Sequence, residues 1–258
     1  MIGIDLGSRS VKIVQMSNGT IVHKAIYNTI EFYRTFARID RQSLQLDIKA
    51  MGFAKDRLVA TGYGKICVQV EGAVQIPEIQ AHVKGAVFQS ALNDFTLLDI
   101  GGQDTKVVQV RDGLAVDFLT NDRCAASSGR YMENMAGVLG MSLEELSSFK
   151  EDPVELNSTC AIFGETEIIA RIVEGCPLPR LAAGVNYTLY RRFAGMLKKL
   201  KSNVVAVSGG GALNSALMAI IEHETGSQVY RLPQPQLNGA IGCCVYGEQG
   251  GVYEAGRA

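Results

Sequence analysis

Residues 5–15 have the sequence Asp5-Leu6-Gly7-Ser8-Arg9-Ser10-Val11-Lys12-Ile13-Val14-Gln15, and a related sequence returns as Asp99-Ile100-Gly101-Gly102-Gln103-Asp104-Thr105-Lys106-Val107-Val108-Gln109. The aspartate, the first glycine, the lysine, the second valine and the glutamine keep their positions, and each copy continues to a turn glycine, Gly19 or Gly113. Each copy places a polar, glycine-bearing turn between two apolar strands. Two such turns facing one another can hold a polyphosphate, which makes nucleotide binding the first hypothesis.

Composition narrows the class of protein. The chain has 258 residues, of which 47% are hydrophobic and 20% charged, values typical of a soluble globular protein. Its formal net charge of −1 provides no general attraction to nucleic acid or to an anionic membrane. No apolar run approaches the ~18 residues of a spanning helix. The first strand starts at Ile2 and leaves no room for a signal peptide, so we expect a cytoplasmic protein.

The pattern of apolar residues predicts one strand meander in each copy. The predicted strands are Ile2–Asp5, Val11–Met16 and Thr20–Ile26, then Leu97–Ile100, Thr105–Val110 and Leu114–Leu119. Between the copies we predict a helix within Glu31–Met51, a strand over Leu58–Thr61 and a helix over Glu78–Ala91. Downstream we predict strands over Val204–Val207 and Gln228–Leu232, a capping box from Ser142 to Glu145, and helices over Cys124–Leu139, Cys160–Glu174, Leu181–Leu200, Ala212–His223 and from Asn238 onward.

The two repeated turns carry the side chains that phosphate binding requires. Their glycines let backbone N–H groups approach phosphate oxygens, and the neighbouring hydroxyls and lysines add donors and charge. Either aspartate could hold Mg²⁺ through water. A single glycine turn is more often only a hairpin, but duplication in register favours a site. The candidate residues are Asp5, Gly7, Ser8, Ser10 and Lys12 in the first turn, and Asp99, Gly101, Gly102, Thr105 and Lys106 in the second.

A third glycine-rich segment lies where a predicted strand meets a predicted helix. It runs from Val207 to Asn214, and its bare backbone suits a phosphate or an adenosine. Taken alone it is weak evidence, because glycine-rich strand-to-helix turns are common. It also lacks the Gly-Lys-Ser/Thr ending of a Walker A loop. Its candidate binding residues are Gly209, Gly210, Gly211 and Asn214.

Two of the six cysteines differ from the rest. Cys67, Cys176, Cys243 and Cys244 have the surroundings of buried, inert thiols, whereas Cys124 and Cys160 each start a predicted helix. A helix N-terminus favours thiolate, which is the form that binds iron. A [4Fe–4S] cluster takes four cysteines, so two per chain would require a cluster shared across a two-fold homodimer. A Cys124–Cys160 disulfide, a zinc site and two unrelated capping thiols remain open alternatives.

Together these segments resemble the ATP-dependent activators of 2-hydroxyacyl-CoA dehydratases and the related ATPase subunits of benzoyl-CoA reductases. The resemblance covers essentially the whole chain. Its motifs, in order, are Asp5-Leu6-Gly7-Ser8, Thr61-Gly62-Tyr63-Gly64, Asp99-Ile100-Gly101-Gly102-Gln103-Asp104, Asn121-Asp122-Arg123-Cys124-Ala125-Ala126, Ser158-Thr159-Cys160-Ala161-Ile162-Phe163 and Gly209-Gly210-Gly211. Several motifs in order are far more specific than any one of them.

The resemblance implies an α/β fold of the duplicated, two-lobed actin/Hsp70/sugar-kinase type, with ATP between the lobes. We expect lobe I to comprise residues 1–94 plus 236–258 and lobe II residues 95–235. The resemblance further implies a homodimer with one [4Fe–4S] cluster, which is bound by Cys124 and Cys160 of both protomers. ATP hydrolysis would then drive a low-potential electron to a partner iron–sulfur dehydratase or reductase, with a ferredoxin or flavodoxin as the donor.

Two segments depart from the family pattern. The family usually has Gly-Thr-Gly after Cys-Ala-Ala, where this chain has Ser127-Ser128-Gly129. It usually has Phe-Ala-Glu-Ser-Glu after the second cysteine, where this chain has Phe163-Gly164-Glu165-Thr166-Glu167. The cysteines and phosphate turns are intact, so the departures bear on the identity of the partner enzyme, which could be another double-cluster reductase.

Phosphoryl transfer depends mainly on orientation and charge neutralisation. We therefore expect Gln103 or Asp104 to position the attacking water, with Asp104 the better proton acceptor. The main alternative is a small-molecule kinase of the same fold, such as an N-acetylhexosamine kinase, which would make no use of Cys124 and Cys160. An actin-like filament protein is a further alternative, for which the chain is short. Residues 28–55 match no motif.

Overall fold

The computed structural model describes residues 1–40, 43–62, 69–121, 128–157 and 161–250. Two compact units are present. Unit 1 comprises Met1–Asn93, Asp112–Ala115 and Gln236–Ala258, and unit 2 comprises Asp94–Arg111 and Val116–Pro235. No helix in the described ranges is both long and apolar enough to span a lipid bilayer.

Unit 1 is built on a five-stranded sheet in the order β3-β2-β1-β6-β8, beside a small sheet in the order β4-β5-β7. Its elements are β1 (Ile2–Leu6), β2 (Ser10–Ser17), β3 (Thr20–Asn28), α1 (Thr29–Phe36), β4 (Ala37–Asp40), β5 (Ser43–Leu46), β6 (Leu58–Gly62), β7 (Gln69–Val70), β8 (Ala73–Gln75), α2 (Glu78–Ser90) and α8 (Asn238–Glu248). β1 pairs antiparallel with β2 and parallel with β6, so β1 lies at the centre of the sheet.

Unit 2 repeats the five-stranded sheet in the order β11-β10-β9-β12-β13. Its elements are β9 (Phe95–Ile100), β10 (Thr105–Arg111), β11 (Leu114–Asn121), α3 (Gly129–Leu139), α4 (Leu143–Leu146), α5 (Ala161–Val173), α6 (Leu178–Lys199), β12 (Val204–Ser208), α7 (Ser215–Thr225) and β13 (Gln228–Arg231). β9 pairs antiparallel with β10 and parallel with β12, as β1 does with β2 and β6. The predicted duplication of the strand meander is confirmed.

Each sheet buries its strands against helices. In unit 1, Val14 and Met16 pack with Ile241 and Cys244 of α8, while Ile4 and Ile13 pack with a second cluster that contains Phe32. In unit 2, Leu98 and Val107 pack in one large cluster with residues of α3, α6 and α7. Burial on both faces explains why β1 and β9 are almost continuously apolar.

The helix predicted within Glu31–Met51 is wrong beyond Phe36. α1 ends there, Ala37 takes an extended conformation (φ −115°), and β4 and β5 form an antiparallel pair. Fully buried Leu44 joins the core that contains Phe32, so strand pairing and burial outweigh the polar composition that suggested a longer helix. The short strands β7 and β8 were not predicted.

One predicted helix start moves, and another falls outside the described residues. α3 is described from Gly129, after an extended Ser128, and Cys124, where this helix was predicted to start, lies outside the described residues. Gly210–Leu213 form a 3-10 turn, and α7 begins at Ser215 rather than at Ala212. The side chain of Asn214 accepts a hydrogen bond from the N–H of Leu217, and this cap fixes the start of α7. The capping box from Ser142 to Glu145 is confirmed.

Candidate functional site

The first repeated turn connects β1 to β2 in unit 1. Asp5 lies opposite Lys12 in the antiparallel pair, and Lys12 Nζ is 3.3 Å from Asp5 Oδ2. Asp5 is only 3% exposed, so its charge acts in a largely desolvated place. The carbonyl of Gly7 accepts a hydrogen bond from the hydroxyl of Thr29 at 2.8 Å. Ser8 and Ser10 are half-buried in the same turn.

A side chain at Gly7 would disrupt this turn. Its Cβ would lie 2.6 Å from the carbonyl oxygen of Ser10 and 2.8 Å from Lys12 Nζ. Glycine therefore allows the lysine ammonium to lie over the turn backbone. An ammonium group and backbone N–H groups in one short turn form an anion-binding arrangement.

The second repeated turn connects β9 to β10 in unit 2. Asp99 lies opposite Lys106, as Asp5 does opposite Lys12, and it is likewise 3% exposed. Here the lysine ammonium is 2.6 Å from Asp104 Oδ2. Gln103 is exposed and Asp104 half-buried. The two turns therefore share a backbone plan, and in the second turn the lysine contacts the carboxylate of Asp104, a residue whose place in the first turn is taken by Ser10.

The glycine-rich segment lies against the end of β9. Ser208 pairs with Asp99 across parallel strands, and its hydroxyl donates to Asp99 Oδ1 at 2.6 Å. Gly209 has φ 82° and ψ 179°, a conformation essentially restricted to glycine. A Cβ at Gly209 would also collide with the carbonyl of Ile100. Unit 2 thus brings the second repeated turn and the glycine-rich segment together.

The side chain of Asn214 has a structural role in this segment. It is 5% exposed, and besides capping α7 its Nδ2 donates to Asn186 Oδ1 at 2.8 Å. Asn186 in turn donates to the carbonyls of Leu146 and Phe149. By contrast, Gly210 is exposed and Leu213 is 50% exposed, so the outer face of the 3-10 turn presents bare backbone and one apolar side chain.

The start of α3 is hydrogen-bonded to the second turn. The N–H of Gly129 donates to the carbonyl of Gly101 at 2.8 Å, and the N–H of Arg130 donates to that of Gly102 at 3.1 Å. The hydroxyl of Ser128 also donates to the carbonyl of Gly102, at 2.9 Å. Residues 128–130 are therefore held directly on the second repeated turn.

Cys67, Cys124 and Cys160 lie outside the described residues. Among the residues that are described, no cluster of three or more histidine, cysteine or acidic side chains could hold a metal ion. Burial, followed by the charge of Asp5, raises the pKa of the Cys243 thiol well above its usual value. Burial raises the pKa of Cys244 to about 12. Both thiols therefore stay protonated at neutral pH.

Thr61 and Gly62, which the sequence placed only in a family motif, and Ser208 were given no role of their own from the sequence. Thr61 lies opposite Asp5 on β6 as Ser208 lies opposite Asp99 on β12, and Gly62 approaches Leu6 as Gly209 approaches Ile100. A hydroxyl residue followed by glycine at the end of a strand is the shared pattern. Comparing the strands that follow each repeat would have found it.

Residues 2–247 match the model of the BadF/BadG/BcrA/BcrD ATPase family. The chain belongs to this family. It is 32% identical over 253 residues to the 2-hydroxyisocaproyl-CoA dehydratase activator of Clostridioides difficile, covering 95% of this chain and 93% of the relative. It is 31% identical over 254 residues to the (R)-2-hydroxyglutaryl-CoA dehydratase activating ATPase of Acidaminococcus fermentans, covering 95% of each chain.

Solved structures share the fold of this chain. The activator of the 2-hydroxyisocaproyl-CoA dehydratase from Clostridium difficile, with bound ADPNP, has a TM-score of 0.81 at 28% identity and covers 95% of this chain and 93% of its own. A ROK family glucokinase from Streptomyces griseus gives a TM-score of 0.60 at 11% identity and covers 97% of this chain and 99% of its own. MreB5 of Spiroplasma citri gives a TM-score of 0.57 at 12% identity and covers 96% of each chain. The predicted actin-like and sugar-kinase-like α/β fold is confirmed.

Proposed function

We propose that this member of an ATPase family hydrolyses ATP and uses the reaction to drive a low-potential electron from a [4Fe–4S] cluster to a partner iron–sulfur enzyme. Relatives named as dehydratase activators and a neighbour with bound ADPNP support the activator role. The observation that carries the coupling is the attachment of Ser128, Gly129 and Arg130 to the carbonyls of Gly101 and Gly102.

This attachment gives a physical route between the two chemistries. A γ-phosphate bound at the second turn would pull on the Gly101–Gly102 backbone and, when cleaved, release it. The hydrogen bonds to Ser128–Arg130 pass that displacement to the segment that contains Cys124. Two discrete arrangements of this hydrogen-bonded element suffice to convert hydrolysis into a change at the cysteine.

In this proposal, residues of both repeated turns contribute to binding Mg²⁺ and the phosphates of ATP. Asp5 and Asp99, both buried, would hold Mg²⁺, whose charge would offset that of the phosphates. The β- and γ-phosphates bind Ser8, Ser10, Lys12, Gly101 and Gly102. Gln103 or Asp104 orients the attacking water, and the adenosine lies on Gly209, Gly210 and Gly211. Asn214 supports that surface by capping α7.

The donor set fits an iron–sulfur cluster. α5 begins at Ala161, directly after Cys160, and the N–H groups of a helix start favour thiolate at that position. Two thiolates per chain fit one shared cluster in a homodimer, with Cys124 and Cys160 given by each protomer. When bound, the cluster supplies one-electron chemistry at low potential. The electron donor is a ferredoxin or flavodoxin, and the acceptor is a 2-hydroxyacyl-CoA dehydratase or a related double-cluster reductase.

Anaerobic purification tests the proposal. We expect a brown dimer with about four iron atoms per dimer that hydrolyses ATP. Cys124→Ser and Cys160→Ser should each lose iron, while Cys176→Ser, which changes a half-buried thiol elsewhere in unit 2, should retain it. Iron retained in both ligand variants, or a colourless protein that phosphorylates a sugar, would contradict the proposal.

A further inference from the structure

A buried histidine lies near Asp5, the residue that begins the first repeated turn. His82 of α2 is 6% exposed, and its Nε2 is 4.0 Å from Glu78 Oε1 one helical turn earlier. No motif identified from the sequence includes His82. A buried imidazole close to a phosphate turn calls for an explanation, because burying a polar ring is costly unless it serves an interaction.

His82 and Asp5 converge on the backbone of Gly239. A Cβ built on Gly239 would lie 2.9 Å from His82 Nε2 and 3.1 Å from Asp5 Oδ2. The two buried polar atoms therefore both face the Cα of this one glycine, His82 from α2 and Asp5 from β1. Any larger residue at position 239 would push them away.

The packing of α8 on α2 fixes this arrangement. Asn238, fully buried at the start of α8, donates from Nδ2 to the carbonyl of His82 at 2.9 Å and accepts from Gln89 Nε2 at 3.0 Å. A Cβ at Gly85 or at Gly242 would collide with the backbone of the other helix. The two helices thus approach as closely as their backbones allow, and His82 is held in one place.

We propose that His82 is a positioning residue for Asp5. Its imidazole holds the Asp5 carboxylate across Gly239, through a bridging water molecule, in the orientation needed to receive hydrated Mg²⁺ and the phosphates. Lys12 contacts Asp5 from β2, and Glu78 Oε1 lies 4.0 Å from the same imidazole nitrogen that faces Gly239. This inference rests on the proposed ATPase function and adds a residue behind the site.

Three variants test the inference through ATP hydrolysis. His82→Leu removes the polar ring, and Gly239→Ala inserts a methyl group between the ring and Asp5; each should lower kcat about 10- to 100-fold, as is usual when a supporting partner of a metal site is lost. KM for ATP should change much less, because orientation acts mainly in the transition state. His82→Gln keeps a donor at similar reach and should restore most of the rate. Gly195→Ala, at an α6 glycine with open space around it, is the control for helix propensity.

A second measurement, thermal unfolding, does not depend on ATP hydrolysis. The Tm shifts of Asp5→Asn and His82→Leu should be non-additive in the double variant, since the two side chains share one interaction. If wild-type protein hydrolyses no ATP, the proposed function fails, and this thermal cycle still decides the coupling of His82 to Asp5. Additive shifts would overturn the inference. So would a folded Gly239→Ala variant with the wild-type kcat, even if His82→Leu does not fold.

Discussion

The hydroxyl of Ser128 donates to the carbonyl oxygen of Gly102 at 2.9 Å, which ties the residue before α3 to the second repeated turn. Ser128→Ala should cost about 1 kcal/mol of unfolding free energy, the usual net value of one hydrogen bond. It should lower ATP turnover by more than that loss of stability explains, because the turn carbonyl loses one of its donors.

Ser147→Ala is the matched control, since its hydroxyl also donates to a carbonyl, that of Glu144, but on the surface near α4. Equal ATPase rates in the two variants, measured well below their Tm values, would remove Ser128 from the coupling route.

Gly209→Ala should be among the most destabilising single substitutions in unit 2. The alanine would have to adopt a backbone conformation that is essentially restricted to glycine, and its methyl group would collide with the carbonyl of Ile100. Gly226→Ala separates the two effects, because Gly226 also has positive φ (64°) but has open space around it. We expect Gly226→Ala to cost about 1–2 kcal/mol and Gly209→Ala clearly more, as measured by urea denaturation. Similar losses in both would mean that the collision with Ile100 is relieved cheaply.

Leu213 should contribute to nucleotide affinity through its half-exposed side chain on the glycine-rich segment. An apolar side chain beside bare glycine backbone provides a surface on which a purine base can pack. Leu213→Ser should weaken ATP binding about 3- to 10-fold, the cost of losing one modest apolar contact, without lowering the Tm. Leu143→Ser, at an equally exposed leucine on α4, should leave the Kd unchanged in calorimetry.

α5 carries a stripe of exposed apolar residues that supports the proposed homodimer. Ile169, Ile172 and Val173 are 49%, 38% and 83% exposed at helical spacing, on the helix that begins directly after Cys160. Ile169→Glu should shift the protein toward monomer in sedimentation experiments and lower its iron content, because a buried unpaired carboxylate disfavours the interface. Leu143→Glu should remain dimeric. An Ile169→Glu dimer with a full complement of iron would place the interface elsewhere.

The thiols of Cys243 and Cys244 should resist alkylation in the folded protein. Both pKa values are raised by burial, that of Cys244 to about 12, so at pH 8 almost no thiolate is present to react. Cys176, which is half-buried, should be alkylated by iodoacetamide under the same conditions. Tandem mass spectrometry of the tryptic peptides distinguishes the three, because fragmentation resolves Cys243 from Cys244 on the peptide that they share. Rapid modification of Cys244 before unfolding would show that α8 opens locally.

The sequence predicted the strands well because both sheets bury both faces of their first strands, which leaves the nearly continuous apolar runs Ile2–Leu6 and Phe95–Ile100. It failed where long-range contacts decide. Ser43–Leu46 pairs with Gln69–Val70 as well as with Ala37–Asp40, and Leu44 is buried in the core that contains Phe32; the pairing with Gln69–Val70 is not local in sequence.

Some residues of the candidate site could likewise be predicted from the sequence, and others could not. The repeated aspartate, glycine and lysine were evident because the sequence carries them twice. His82 was not, because a single histidine on a helix gives no pattern, and its nearness to Asp5 depends on the glycine contacts between α2 and α8. Ser128 was noticed only as a departure from the family pattern, although it is hydrogen-bonded to the turn that the repeat had identified.

The placement of α8 has a consequence for biosynthesis. Ala240, Ile241, Cys243 and Cys244 fill the core beneath β1 and β2, yet they leave the ribosome after all of unit 2 has been made. A nascent chain that ends before residue 236 exposes the apolar face formed by Val14 and Met16, whereas unit 2 already has its complete sequence. Translation therefore delivers the second half of the duplication ready to fold before the first, the reverse of the usual order along a polypeptide. Ribosome-stalled chains ending just before α8 should consequently be the species that chaperones bind most strongly.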